Sequence, residues 1–333
     1  MKLFNTKILG TGSYLPEKIV TNHDLAKRID TNDEWIVERT GIKARRIADI
    51  SKDEVPSGMA KEATLRALEA ANLTPNDIDC ILFSSTLADQ AMPNAASVLQ
   101  FKLGITNNCP ALDVNAACSG WIYLIPMANA LIQTGVYKHI LVVGSEMLSS
   151  FNNWDDRNTC ILFGDACGVA ILGRASENED ARIYSTVLSS DSSKKDHLTL
   201  WAGGSAKKIT HEVLENNEQW MTMNGQEIFK AAVKTMAAHA EKVVKESGLT
   251  MNDVDWFIPH QANLRIIEAV GTRFNFPPEK VIINVEKYAN TSSATVPVAF
   301  DEAVRDGRIK RGDNVLFAAF GAGLTAGAIF FKY

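Results

Sequence analysis

Leu73-Thr74-Pro75-Asn76-Asp77-Ile78-Asp79 returns, 176 residues later, as Leu249-Thr250-Met251-Asn252-Asp253-Val254-Asp255. Each copy follows an amphipathic stretch of helical period and opens a short apolar run. Two further correspondences keep the same order. Cys118 stands 17 residues before Gly135, as Asn290 stands 17 before Gly307, and the run ending at Gly144 matches the one ending at Gly321. Three matches in one order predict a duplicated α/β unit, 1–175 and 176–333. Outward from the first copy, 78–86, 139–145 and 167–173 are near-continuously apolar and read as strands buried on both faces. Residues 57–71 read as a helix between them, and the alternation argues α/β with covered sheets. On this reading Cys118 and Asn290 occupy equivalent strand-to-helix turns that meet near a pseudo-twofold axis. His260, which follows the repeated strand of the second half, comes to the same end of its sheet.

The rest of the chain narrows the function classes. Its 333 residues are 46% hydrophobic and 22% charged, enough to bury a large core. A net charge of −5 and the lack of a basic tract interleaved with aromatics give no reason to expect nucleic acid. No run of 18 apolar residues suggests a membrane span, and the N-terminus does not read as a signal peptide. Five irregularly spaced cysteines then read as reduced thiols, so the expected compartment is the cytoplasm. No CxxC, no HExxH and no His pair at helical spacing is present, and no metal site is expected. Gly10-Thr11-Gly12 imitates a dinucleotide turn, but Leu15 stands where the third glycine belongs and Pro16 follows. Asn290-Thr291-Ser292 spells a glycosylation sequon and is discounted without a secretory signal.

Three residues carry candidate chemistry. Cys118 lies among small residues ahead of an apolar helical stretch, Trp121 to Ile132. A thiol at a helix N-terminus meets the positive end of the dipole, which favours the thiolate needed for acyl transfer. The plainer alternative, a small buried cysteine, is the common case. His260 closes an apolar strand beside polar turn residues, suited to donation or proton transfer or to an ordinary structural hydrogen bond. Asn290 is a candidate donor, with a helix cap as the competing role. Met221 and Met223 read as packing.

Together with Gly10-Thr11-Gly12-Ser13-Tyr14-Leu15-Pro16, Asp33-Glu34-Trp35-Ile36, Arg39-Thr40-Gly41-Ile42, Ala116-Ala117-Cys118-Ser119-Gly120, Phe163-Gly164-Asp165 and Pro259-His260-Gln261-Ala262-Asn263, these residues resemble one family nearly end to end. It is the 3-oxoacyl-acyl-carrier-protein synthase III family of thiolase-fold condensing enzymes. The resemblance implies two βαβαβαββ halves in a five-layered αβαβα sandwich, acting as a homodimer without a cofactor. It implies that Cys118 takes a starter acyl group from acyl-coenzyme A, and that His260 and Asn290 hold the thioester carbonyl of malonyl-acyl carrier protein while carbon dioxide leaves. The oxyanion donors would be the backbone N–H groups of Cys118 and Ala322, where many relatives carry glycine. Trp35, Arg39 and Arg157 would bind coenzyme A. Gln261, Ala262, Asn263, Leu264 and Arg265 would meet the carrier protein. Arg305, Arg308, Lys310 and Arg311 form another basic cluster, which a solvated helix end explains equally well. Met92 would wall the acyl pocket, and Trp121 would narrow it. A condensing enzyme of specialised biosynthesis, an acyltransferase to another acceptor and a non-catalytic carrier-binding subunit remain alternatives. The complete Cys-His-Asn set weighs against the last.

Overall fold

The computed structural model describes residues 3–333. Its first sheet holds β1 (Thr6–Tyr14), β2 (Cys80–Ser84), β3 (Ala111–Asp113), β4 (His139–Met147) and β5 (Asp165–Arg174), in the order β1-β5-β4-β2-β3. The second holds β6 (Arg182–Ser190), β7 (Trp256–Pro259), β8 (Asn314–Gly321) and β9 (Thr325–Lys332), in the order β7-β8-β9-β6. β5 runs antiparallel between β4 and β1, as β9 does between β8 and β6. β2 is parallel to β4, as β7 is to β8. Val281 bridges β7 in parallel where β3 flanks β2.

Seven helices matter here: α1 (Asp33–Thr40), α2 (Pro56–Ala71), α3 (Ala95–Lys102), α4 (Gly120–Gln133), α5 (Gly225–Glu246), α6 (Leu264–Arg273) and α7 (Thr295–Arg305). α2 and α3 cover the outer face of the first sheet, α5 and α6 that of the second, and α4 and α7 lie between the sheets. The result is the five-layered αβαβα arrangement. Composition follows position. α4 buries Trp121, Ile122, Leu124, Ile125, Ala128 and Ile132 because sheets lie on both of its sides. α5 buries Ala232, Met236, Ala237, Ala240, Val243 and Val244, one stripe, and leaves its lysines and glutamates to water. Among the described residues no helix is long and apolar enough to cross a membrane.

The repeated heptapeptide has a structural job. Thr74 and Thr250 each form a capping box with the aspartate three residues on, Asp77 and Asp253. Asp79 then accepts the N–H groups of Lys138 and His139 at 2.9 and 2.8 Å, and Asp255 that of Asn314 at 2.9 Å. Each copy thereby ties the start of one strand to the start of its parallel neighbour.

The register corrects two of the sequence correspondences. The heptapeptides make Cys80 the counterpart of Trp256. Cys80 pairs with Ile140 and Trp256 with Val315. Gly144 therefore matches Ala319, and it is Glu146 that matches Gly321. The turns agree. Asn115 Oδ1 accepts the Ala117 N–H at 3.0 Å, and Asn290 Oδ1 accepts the Ser292 N–H at 2.8 Å. Ala117 and Ser292 both take left-handed φ, 47° and 50°. Short 3₁₀ turns, Ala117–Ser119 and Ser292–Ala294, then lead into α4 and α7. Asn290 is thus the counterpart of Asn115, and Cys118 that of Ser293. The shared 17-residue spacing misleads because α7 has 11 residues where α4 has 14.

Candidate active site

The turns before α4 and α7 and the end of β7 come together at a cavity of about 720 Å³, lined by Cys118, His260 and Asn290. Cys118 is half-buried. Burial pushes its thiol up to about 11, Ser292 pulls it down, and the Glu146 carboxyl adds to the rise. The lowering expected from the helix terminus is outweighed by desolvation. β8 ends against this turn. A Cβ on Gly321 would lie 2.8 Å from the Cys118 nitrogen, so glycine is what lets the strand end reach it. Gly323 takes the positive φ of the next turn, 124°, while Ala322 stays outside the left-handed region, so the alanine brings no backbone strain. Thr325 Oγ1 donates to Ala116 O at 2.8 Å and secures the two turns to each other.

His260 donates its backbone N–H to Ala318 O at 2.8 Å, and its ring is buried with Nδ1 2.6 Å from Thr295 Oγ1. Burial lowers its pKa to about 4, so the imidazole is neutral. The Asn290 backbone is held by the 159–164 loop, through Leu162 O at 2.9 Å and the Gly164 N–H at 3.1 Å. Because Oδ1 accepts from Ser292, the carboxamide turns its NH₂ away from that turn, and Nδ2 makes no hydrogen bond to the described residues. Its counterpart Asn115 spends the same NH₂ on Thr86 O at 3.2 Å.

Sequence reasoning missed Glu146. This carboxyl is 1% exposed. Its Oε1 accepts from Ser293 Oγ at 2.6 Å, Ser292 Oγ at 3.0 Å, Ser293 N at 3.3 Å and Thr86 Oγ1 at 3.3 Å, and its Oε2 from Thr86 N at 2.9 Å. Burial raises its pKa, and the Ser293, Thr86 and Ser292 donors oppose the rise. A lone carboxylate in the largely apolar strand His139–Met147 was the available signal.

Trp35 and Arg39 line the same cavity together with Ala262, Asn263 and Arg265. The guanidiniums of Arg39 and Arg157 stack on the Trp35 ring at 4.6 and 4.9 Å. Asn263 caps α6 through the Arg265 N–H and donates to Arg39 O, 2.9 and 3.0 Å. Arg265 is exposed, and Leu264 packs inward on Gly41. Gln261 departs from expectation. It is 1% exposed and uses its amide internally, donating to Pro259 O and Ile282 O and accepting from the Asn284 and Val285 N–H groups. It offers a partner nothing. Met92 is 84% exposed and absent from the cavity wall of its own chain. Trp121 is buried between the sheets, outside the cavity, where the Nε1–H donates to Val142 O. Met223, expected only to pack, lies in the wall. In the second basic cluster, Arg305 pairs with Asp301, Arg308 with Asp306, and Arg311 donates to Ile8 O. Among the described residues no group of three or more His, Cys, Asp or Glu side chains could hold a metal ion.

Comparison with known proteins agrees with this geometry. The 3-oxoacyl-[acyl-carrier-protein] synthase III family model matches residues 112–192, and the model of its C-terminal part matches 244–333. The beta-ketoacyl-[acyl-carrier-protein] synthase III of Caldanaerobacter subterraneus subsp. tengcongensis is 49% identical over 96% of this chain and 95% of its own. That of Methylococcus capsulatus is 45% identical over 98% and 99%. The crystal structure of the Aquifex aeolicus synthase III superposes with a TM-score of 0.90 at 40% identity, covering 98% of this chain and all of that one. A priming beta-ketosynthase from the R1128 polyketide pathway superposes with a TM-score of 0.90 at 31% identity, covering 99% and 97%. With its sandwich, its Cys-His-Asn cavity and these full-length relatives, the chain belongs to the 3-oxoacyl-[acyl-carrier-protein] synthase III family of condensing enzymes.

Proposed function

We propose that the cavity joins an acyl-coenzyme A starter to malonyl-acyl carrier protein through an acyl-Cys118 intermediate, the initiating step of fatty-acid synthesis. Cys118 sulfur attacks the starter thioester, and coenzyme A leaves as the thiol, carrying the proton that cysteine gives up. The malonyl thioester then enters. Loss of carbon dioxide leaves an enolate whose oxygen is held by His260 Nε2–H and Asn290 Nδ2–H, two neutral donors in a buried site. The enolate carbon attacks the acyl-Cys118 carbonyl, whose developing oxyanion faces the backbone N–H groups of Cys118 and Ala322. Collapse releases the 3-oxoacyl carrier protein and the Cys118 thiolate, which takes up one proton. No resident cofactor takes part.

The observation that carries this reading is the fixed orientation of Asn290. Its oxygen is spent on Ser292, so only its NH₂ is left for a ligand. A site that only moved an acyl group would have no enolate to hold. Trp35, Arg39 and Arg157 suit the adenine and phosphates of coenzyme A, and Ala262, Asn263 and Arg265 at the mouth suit an acidic carrier protein. The two units, 1–175 and 176–333, supply the cysteine and the His-Asn pair respectively. The five free cysteines fit a reducing cytoplasm. A homodimer is favoured by the open edge of β3, beside which Leu112, Met92 and Phe101 are exposed. In such a dimer Met92 contributes to an acyl pocket only across the interface.

The test is to incubate the protein with a panel of acyl-coenzyme A thioesters, measure intact mass and then add malonyl-acyl carrier protein. Adducts on Cys118 that vanish in Cys118→Ala and discharge to a 3-oxoacyl product establish the reaction. Adducts that malonyl-acyl carrier protein leaves in place would point to another acceptor.

A further inference from the structure

A role for Thr295 rests on the proposed condensation, in which His260 acts only if the single proton of its neutral ring sits on Nε2. Which nitrogen carries that proton is set by the hydrogen bond made at the other. Among the described residues Nδ1 has one partner, Thr295 Oγ1, at 2.6 Å. His260 lines the cavity, and Nε2 makes no hydrogen bond to the described residues.

The Thr295 hydroxyl has one proton and two acceptors within reach. The second is Ser292 O, at 2.9 Å. If the proton pointed there, Nδ1 would have to be the protonated nitrogen. Nε2 would then turn a bare lone pair toward the substrate carbonyl, the opposite of what an enolate needs. Ser292 O does not depend on the hydroxyl, because it already accepts the Thr295 backbone N–H in the 3₁₀ turn that opens α7. Nδ1 has no such substitute. The contact to Nδ1 is also the shorter of the two.

We infer that Thr295 donates its hydroxyl proton to His260 Nδ1 and so holds the ring in the Nε2–H form, which makes Thr295 a positioning residue for decarboxylation. The placement is rigid. Thr295 is 2% exposed and is the first residue of α7, and the left-handed Ser292 turns the chain so that hydroxyl and ring meet. The same short segment thus orients both donors: the Ser292 N–H fixes the Asn290 amide, and the Thr295 hydroxyl fixes the His260 ring.

The direct test is the ¹⁵N spectrum of histidine-labelled protein, with His260 assigned by difference from His260→Ala. A protonated, pyrrole-type Nε2 is expected, and a protonated Nδ1 in the wild type overturns the inference. The kinetic test compares Thr295→Val with Thr295→Ser. The valine variant should discharge acyl-Cys118 to malonyl-acyl carrier protein about tenfold more slowly or worse, as for loss of an aimed donor. Its loading from acyl-coenzyme A should stay within about threefold, because loading does not use Nε2–H. The serine variant should restore discharge. Unchanged discharge in a folded Thr295→Val overturns the proposal. A wild type that never loads Cys118 sinks the condensation itself, and the ring spectrum still decides the tautomer.

Discussion

Glu146 and His260 are the two buried ionisable side chains beside Cys118, and their surroundings are opposite in kind. Five donors face Glu146, and two of them, the Thr86 N–H on Oε2 and the Ser293 N–H on Oε1, can only donate, so the pocket suits two oxygens. In Glu146→Gln, an NH₂ group must confront either the Thr86 N–H or the Ser293 N–H. The Ser292–Ser293 turn that aims Asn290 then loosens. Discharge of acyl-Cys118 by malonyl-acyl carrier protein should fall at least about tenfold, the scale of one hydrogen bond to a charged group, while loading from acyl-coenzyme A falls far less. Single-turnover rates of the two half-reactions check this. For His260, the folded pKa of about 4 lies below the ordinary 6.5. The unfolded chain therefore binds the proton first as pH falls. Its contribution to stability is whole above pH 6.5 and is lost between 6.5 and 4, by up to about 3 kcal/mol. Urea unfolding of wild type and His260→Gln at pH 7.5, 5.5 and 4.5 should show the difference shrinking toward acid. A constant difference would refute it. Cys118, His260 and Asn290 were legible in the sequence because each sits in a short motif of characteristic neighbours. Glu146 and Thr295 were not, because their partners lie up to 147 positions away along the chain.

At the scale of elements, the glycines of β1 show how a local motif can suggest the wrong job. Gly10 and Gly12 belong to no nucleotide turn. They let α2 lie directly on β1, since a Cβ at Gly12 would fall 2.1 Å from Ala63 O, and one at Gly10 2.4 Å from Ala67 O. Gly12→Ala should therefore displace α2 and destabilise the protein by about 1–3 kcal/mol or more, with a lowered unfolding temperature. The kcat of the folded fraction should stay near wild type, because β1 is remote from the cavity. Strand and helix placement was readable from apolar runs and period. Helix length was not. The three-residue difference between α4 and α7 slid Asn290 onto Cys118 in the sequence comparison, although hydrogen bonding pairs it with Asn115.

For the whole molecule, the middle layer joins the halves. Trp121 on α4 donates to Val142 of the first sheet and packs its ring 5.7 Å from Phe317 of the second. α7, from the second half, lies on β1 and β5 of the first. Neither half keeps its inner face covered alone, so unfolding should be a single transition, coincident by tryptophan fluorescence and far-ultraviolet circular dichroism. Trp121→Ala should lower stability by about 3–5 kcal/mol and preserve that coincidence. Two separated transitions would show halves that stand independently.

The sequence by itself determined the repeated heptapeptide, the α/β class, the three cavity-lining residues and the family resemblance, because apolar period, turn chemistry and short motifs are written along the chain. Only the tertiary structure decided which turns are true counterparts, that Gln261 is consumed internally, and that Met92 is exposed outside its own cavity. Only it decided that the Cys118 thiol is raised by burial, and that Glu146 and Thr295 stand behind Asn290 and His260. These depend on distances through space between residues far apart in sequence, and on removal from water, which no local pattern records.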